Sequence, residues 1–177
     1  MEQFTYKRPA RVRVSSKMEA KNEQGDTVFK IQKIQHKFFA RIIHHLIKGG
    51  LPYSYKVTND NGKPLYTVDC SFPGMWYIII DHLSSEEASI DSYRVQLIEK
   101  GYRFKLNNHE FQFEKDHTGT GILTCDQTQV ASVSIPINKD PSLFVLPASD
   151  TIIIRATTPE FASLAAVLFH TLFYYDA

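Results

Sequence analysis

Residues 157–177, TTPEFASLAAVLFHTLFYYDA, are the stretch that decides the fold. Thr157 or Thr158 can cap the start of a helix, and Pro159 suits its first turn. From residue 161 to residue 175 the stretch is apolar nearly all round, so a helix here must be surrounded by protein or lipid. A helix of about fifteen residues is roughly 22 Å long, which is short for a bilayer. We therefore predict a buried core helix near residues 159–174 rather than a membrane anchor.

Most of the remaining chain alternates apolar and polar residues with a period of two, as in segments 11–14, 102–106, 110–114 and 133–137. This alternation is typical of half-buried antiparallel strands. Turn residues separate the runs, among them segments 100–101, 107–108 and 117–121. About twelve candidate strands at this spacing predict a barrel or a sandwich.

Two segments of the chain resemble each other without gaps, NEQGDTVFKI at 22–31 and NDNGKPLYTV at 59–68. Each begins with Asn, an acidic residue, an amide residue and Gly. Two variable positions follow, and then an aliphatic and an aromatic residue that begin a strand. The glycine supplies the positive φ that a tight hairpin needs. The pair predicts two β-hairpins of the same construction.

The net charge of the chain is +1, which gives no signal for nucleic-acid binding. Residues 1–56, however, carry twelve Lys and Arg against four Asp and Glu, so a basic surface built from the N-terminal third is expected. The alternative is that folding interleaves these charges with those of the acidic remainder. Two distant cysteines and an N-terminus without an apolar signal segment favour a cytoplasmic protein of one domain, residues 1–177, without a transmembrane segment.

Residues 36–50, HKFFARIIHHLIKGG, have the spacing of an amphipathic helix near 37–48. Its apolar residues share one stripe, its basic residues share the opposite side, and Gly49 and Gly50 end it. Either the helix covers an open end of the fold with its basic face in solvent, or it binds an anionic membrane surface or a protein partner. The candidate binding residues are Lys37, Phe38, Arg41, His44, His45 and Lys48.

Metal binding and catalysis have little support in the sequence. His44 and His45 point about 100° apart on a helix, and no other histidine has an HExxH or CxxC partner. Cys70 and Cys125 have no nucleophile motif and are expected to be small core residues. The glycines of HTGTG, 117–121, fit a hairpin turn better than a phosphate-binding loop. We predict no catalytic residue, no metal and no cofactor.

A β domain that ends in one fully hydrophobic helix, together with NDNGKPLYTVD, QTQVASVSIP and DTIIIRATTPEFASLAAVLFHTLFYYD, resembles the tubby C-terminal-like superfamily. That superfamily includes the LURP-one-related proteins and the phospholipid scramblases. Within it, the chain resembles the small bacterial members. The resemblance implies a closed antiparallel barrel of about twelve strands around a central hydrophobic C-terminal helix. The sequence has no residue-by-residue match to the lipid-binding cluster of tubby domains, so none of those positions is carried over. The calcium-linked and palmitoylated segments of the scramblases are not recognisable either, so scramblase activity is not implied.

Tubby-like domains bind phosphoinositide headgroups or partner proteins. The resemblance therefore implies a non-enzymatic binding module, peripheral to the membrane or bound to a protein partner. In this interpretation the 37–48 helix is an insertion between early strands. The alternative is a small-molecule-binding protein or an unrecognised enzyme that uses a pocket at a barrel mouth.

Overall fold

The structure, a computed structural model, describes residues 1–7, 17–34, 53–71, 76–94, 100–136 and 151–173. Twelve antiparallel strands close into one barrel, in which strands adjacent in sequence pair and β1 pairs with β12. The strands are β1 Glu2–Lys7, β2 Lys17–Lys21, β3 Thr27–Ile34, β4 Ser54–Asn59, β5 Pro64–Ser71, β6 Trp76–Asp81, β7 Glu86–Arg94, β8 Lys100–Leu106, β9 His109–Lys115, β10 Gly121–Cys125, β11 Thr128–Ser134 and β12 Thr151–Ala156. This confirms the predicted barrel. The predicted helix near 37–48 lies outside the described residues.

The two-residue alternation of the sequence separates the inside of the barrel from its outside. In β3, Phe29 and Ile31 are buried, whereas Lys30 and Gln32, which alternate with them, are partly exposed. The same alternation recurs in β6 and β12. Because successive side chains of a strand point to opposite faces, one face of each strand fills the core.

Three hairpin turns share one construction, in which Asn or Asp stands three residues before a glycine of positive φ. Asn22 accepts a hydrogen bond at Oδ1 from the backbone N–H of Asp26, 2.8 Å away, and Asn59 accepts the matching bond from Lys63, also at 2.8 Å. Gly25 and Gly62 have φ of 89° and 83°. The two hairpins predicted from the repeat are therefore confirmed. The third copy is the β9–β10 turn, residues 116–120, which was predicted within segment 117–121.

The predicted turn at residues 100–101 is wrong. Both residues belong to β8, and Gly101 pairs with Tyr93 of β7. A Cβ atom at Gly101 would lie 2.5 Å from Cζ of Tyr93, so the tyrosine ring occupies the space that any larger residue would need. Glycine here allows a cross-strand aromatic side chain to approach the backbone, as it does in many strands.

The C-terminal helix begins as predicted. Helix α1 spans Pro159–Leu168, and the Thr158 hydroxyl caps it by accepting a hydrogen bond from the backbone N–H of Phe161. A π-helical turn, Phe169–Phe173, continues it. No helix within the described residues is long and apolar enough to cross a membrane.

The helix is enclosed by the barrel. Residues 162–172 are all buried, and α1 packs against strands from different sides of the closed sheet, namely β3, β4, β5, β10, β11 and β12. Phe173 reaches further strands, with its ring 5.4 Å from that of Tyr102 and 5.2 Å from that of Phe113. The apolar character of the helix on every side is thus explained by strands on every side.

One polar residue of the helical segment, His170, is buried in this core. Its Nε2 lies 2.8 Å from the hydroxyl oxygen of Tyr6, and its ring lies 5.1 Å from that of Tyr55. A buried polar group needs such a hydrogen bond to offset its lost hydration. The histidine therefore ties the helix to β1 and β4.

Candidate binding surface

The two ends of the barrel differ in their connections. Because consecutive strands are antiparallel, the connections alternate between the ends. The short-turn rim consists of the hairpin turns at 22–26, 60–63, 82–85, 107–108 and 126–127, together with residue 1 and the start of α1. The long-connection rim consists of the strand ends Lys7, Lys17, Ile34, Ser54, Ser71, Trp76, Arg94, Lys100, Lys115, Gly121, Ser134 and Thr151, with the 116–120 turn.

The candidate residues of the sequence all belong to one connection in the chain, the one between β3 and β4. Lys37, Phe38, Arg41, His44, His45 and Lys48 belong to segment 35–52, between β3 and β4. That segment lies outside the described residues, so the predicted helix and its basic face stay predictions. The strands on either side of it end at this rim, at Ile34 and Ser54.

Exposed basic side chains lie at both rims, and four of them belong to the described part of the long-connection rim. Lys7, Lys17, Arg94 and Lys115 are exposed there. Lys33, next to the end of β3, is buried with its ammonium nitrogen 3.4 Å from the centroid of the Tyr53 ring. That position allows a cation–π interaction.

Carboxylates at the same rim are engaged in local hydrogen bonds. Glu114 accepts one from the Tyr93 hydroxyl, and burial together with this bond raises the pKa of Tyr93. Asp116 accepts bonds within its own turn, and the one from the Thr118 hydroxyl is the main reason that its pKa is lowered. A third carboxylate, Asp69, accepts a hydrogen bond from the Ser54 hydroxyl at this rim. Four exposed cations against these three carboxylates leave the described rim basic.

The single tryptophan of the protein also lies at this rim. Trp76 is the first residue of β6, and its side chain is 61% exposed. A tryptophan ring combines an apolar body with one N–H donor, which suits a boundary between water and lipid or a protein partner. The exposed ring and the four cations make one mixed surface, here called the basic rim: Lys7, Lys17, Trp76, Arg94 and Lys115.

At the short-turn rim exposed carboxylates outnumber the exposed cations, which are Lys21, Lys63, Lys105 and Arg155. Its exposed carboxylates include Glu2, Glu23, Asp26, Asp60, Asp126 and Glu160. A cavity of about 470 Å³ opens here between the start of β1, the β2–β3 turn and Pro159, and the charged side chains that line it are those of Glu2 and Glu23. This is the kind of pocket at a barrel mouth that a small-molecule-binding protein needs.

A buried carboxylate ties two turns of the short-turn rim together. Asp81 is only 2% exposed and accepts hydrogen bonds of 2.8 Å from the backbone N–H of Leu83 and from Nδ2 of Asn107. Burial alone would raise the pKa of Asp81, but these bonds, with one from Ser84, hold it below its ordinary value. Burial and the charge of Asp81 raise the pKa of the neighbouring Tyr66 to about 12. The sequence did not indicate this network, because its donors come from separate hairpins.

The cysteines behave as expected from the sequence. Cys70 and Cys125 are half-buried and pack against the hydrophobic core. Burial is the main reason that the pKa of Cys70 rises to about 11 and that the pKa of Cys125 also rises. A raised pKa leaves less of a thiol in the thiolate form at neutral pH.

Comparison with known protein families gives one match, which spans almost the whole chain. The model of the Tubby C-terminal like domain matches residues 4–175. No curated protein and no solved structure matches the chain.

Proposed function

Because the chain belongs to the Tubby C-terminal-like family, we propose that it is a non-enzymatic binding module that contacts anionic membrane surfaces through its basic rim. The observation that carries the proposal is the separation of charge between the two ends of the barrel. At the long-connection rim the exposed cations, which lie there with the single tryptophan, outnumber the carboxylates. At the other end exposed carboxylates outnumber the exposed cations. A barrel with this polarity would be oriented by a negatively charged surface.

The connection that joins the ends of β3 and β4 is itself basic in sequence. Its sequence contributes Lys37, Arg41 and Lys48, so the basic rim and segment 35–52 together carry seven Lys and Arg. Each cation close to an anionic membrane contributes about 1 kcal/mol. Contacts of this kind are weakened by salt, because the Debye length is only about 10 Å at 0.1 M ionic strength. The binding would therefore be peripheral, reversible and dependent on anionic lipid.

Vesicle co-sedimentation tests the proposal. The protein should sediment with vesicles that contain phosphatidylserine or a phosphoinositide, and not with pure phosphatidylcholine vesicles. Lys17→Glu with Lys115→Glu removes two cations from the basic rim and adds two anions. Affinity at low salt should therefore fall at least roughly 30-fold, since each lost cation alone accounts for about 1 kcal/mol. The matched control is Lys63→Glu with Lys105→Glu, two exposed positions toward the short-turn rim that give the same change in net charge.

The two pairs of variants separate a located surface from a general charge effect. An equal loss of binding in both pairs would contradict the basic rim as the contact surface. A further variant, Lys37→Glu with Arg41→Glu, tests whether segment 35–52 contributes to vesicle binding. Absence of binding to every vesicle would overturn the membrane proposal and favour a protein partner for the same rim.

Small-molecule binding is the second candidate function, and the cavity at the short-turn rim favours it. The two glutamates of its lining suit a ligand that is cationic or rich in hydrogen-bond donors. A thermal-shift screen with small amines tests this. A stabilising amine should lose its effect in Glu2→Gln with Glu23→Gln and keep it in the Lys17→Glu, Lys115→Glu variant.

A further inference from the structure

Two neighbouring hairpin turns of the short-turn rim bring three metal-ligating side chains together. His109 begins β9, Cys125 ends β10, and Asp126 follows in the β10–β11 turn. One ligand atom from each residue lies within 4.8 Å of the other two. Oδ2 of Asp126 is 2.6 Å from Nδ1 of His109 and 4.0 Å from Sγ of Cys125.

The backbone around these residues is held in place by its own hydrogen bonds. Asp126 donates its N–H to the carbonyl of Glu110 at 2.8 Å and accepts the N–H of Glu110 at Oδ1, at 2.9 Å. Both turns use two consecutive residues of positive φ, 107–108 and 126–127, which is the geometry of tight two-residue hairpins. The ligand-bearing positions are thus fixed by regular structure, as a precise metal site requires.

We propose that His109, Cys125 and Asp126 bind a divalent transition-metal ion, with Zn²⁺ the best match to their chemistry. Imidazole nitrogen, thiolate sulfur and carboxylate oxygen are the three ligand types of zinc sites, whereas Ca²⁺ and Mg²⁺ take oxygen ligands. Bonds of about 2.0–2.3 Å in a tetrahedral site put ligand atoms roughly 3.2–3.7 Å apart. The distances of 2.6 Å and 4.0 Å lie on either side of that range. Changes of roughly 1 Å in the distances between the ligand atoms would form the site.

The exposure of the cluster fits an open site. The side chains of His109 and Asp126 are each 57% exposed, so an ion reaches them without any opening of the barrel. Three protein ligands leave the fourth tetrahedral position to water or to a ligand from another molecule. The site lies at the rim opposite the proposed membrane contact and is independent of it.

Cobalt titration of the untagged full-length protein, kept reduced with a phosphine, tests the site. Co²⁺ bound by a thiolate gives a charge-transfer band in the near ultraviolet, and added Zn²⁺ should remove it. The wild type and Cys70→Ser should both show the band, whereas Cys125→Ser should lack it. His109→Ala and Asp126→Asn should bind Co²⁺ at least about tenfold more weakly, since loss of a ligand costs no less than loss of a supporting residue.

The double variant His44→Ala, His45→Ala tests whether a histidine of segment 35–52, rather than His109, supplies the imidazole ligand. It should leave the band unchanged. Circular dichroism should show that each variant is folded, as expected for substitutions at a rim. A folded wild type without the band, or a band that persists in Cys125→Ser, would overturn the proposal.

Discussion

Leu168→Asp is expected to abolish folding of the protein. Leu168 ends α1 inside the barrel and is 0% exposed. The substitution removes a core side chain, which lowers the free energy of unfolding by about 2–5 kcal/mol. It also places a carboxylate in the core without adding a cation to pair with it, which costs a further several kcal/mol. Together these costs are comparable with the roughly 5–15 kcal/mol of a typical domain. The variant should be insoluble on expression, or unfolded by circular dichroism.

Leu83→Asp is the matched control for this prediction. It makes the same chemical change in the β6–β7 turn, where Leu83 is 51% exposed. Its free energy of unfolding should stay within about 0.5 kcal/mol of the wild type. A Leu168→Asp variant with a wild-type thermal transition would show that the helix is not part of the core.

Asp81→Asn is expected to lower the free energy of unfolding at pH 7 by about 1.5–3 kcal/mol, the range for hydrogen bonds to a charged group. Asparagine has the same size, but an amide NH₂ group takes the place of one carboxylate oxygen. That group faces an N–H donor, so it cannot accept the hydrogen bond that the oxygen accepts from Leu83 or from Asn107. Urea unfolding measures the difference. Asp60→Asn, in an exposed turn, is the control and should change little.

The effect of Asp81→Asn should also depend on pH in a defined direction. The pKa of Asp81 is lower in the folded protein than its ordinary value of 3.8. Its charged form therefore stabilises the fold fully above that value, and the contribution is lost as pH falls through the folded pKa. The wild type and the variant should differ by a constant amount above about pH 5 and converge in more acidic solution. A difference that stays constant down to about pH 2.5 would show that the charge of Asp81 is not the cause.

The barrel and its helix were predictable because their signals are local. Two-residue alternation needs only a few neighbouring residues, and a segment apolar on all sides requires enclosure whatever encloses it. The repeated Asn-x-x-Gly segments also predicted their turns, because the asparagine and the glycine that form each turn are close in sequence. The turn at Gly101 was predicted wrongly because the reason for a glycine there is not local in sequence. The Tyr93 ring that makes a glycine useful there lies on another strand.

The candidate sites were less predictable because they are assembled by the closure of the sheet. Asp81 and Asn107 come from different hairpins, as do His109 and Asp126. No spacing motif joins such residues, and only the register of neighbouring strands brings them together. The basic rim is similar, since its cations are separated in sequence and share a rim only because antiparallel strands alternate in direction. The uneven charge of residues 1–56 was the one available signal.

Tryptophan fluorescence of the unmodified protein is the most direct test of the proposed membrane contact. Trp76 is the only tryptophan, and it lies in the basic rim. On addition of anionic vesicles its emission should shift to shorter wavelength and be quenched by lipids with brominated acyl chains, because the ring moves from water into the membrane interface. Neutral vesicles should leave the emission unchanged. Binding to anionic vesicles without a shift or quenching of Trp76 would contradict the proposed contact, because the barrel would then meet the membrane through another surface.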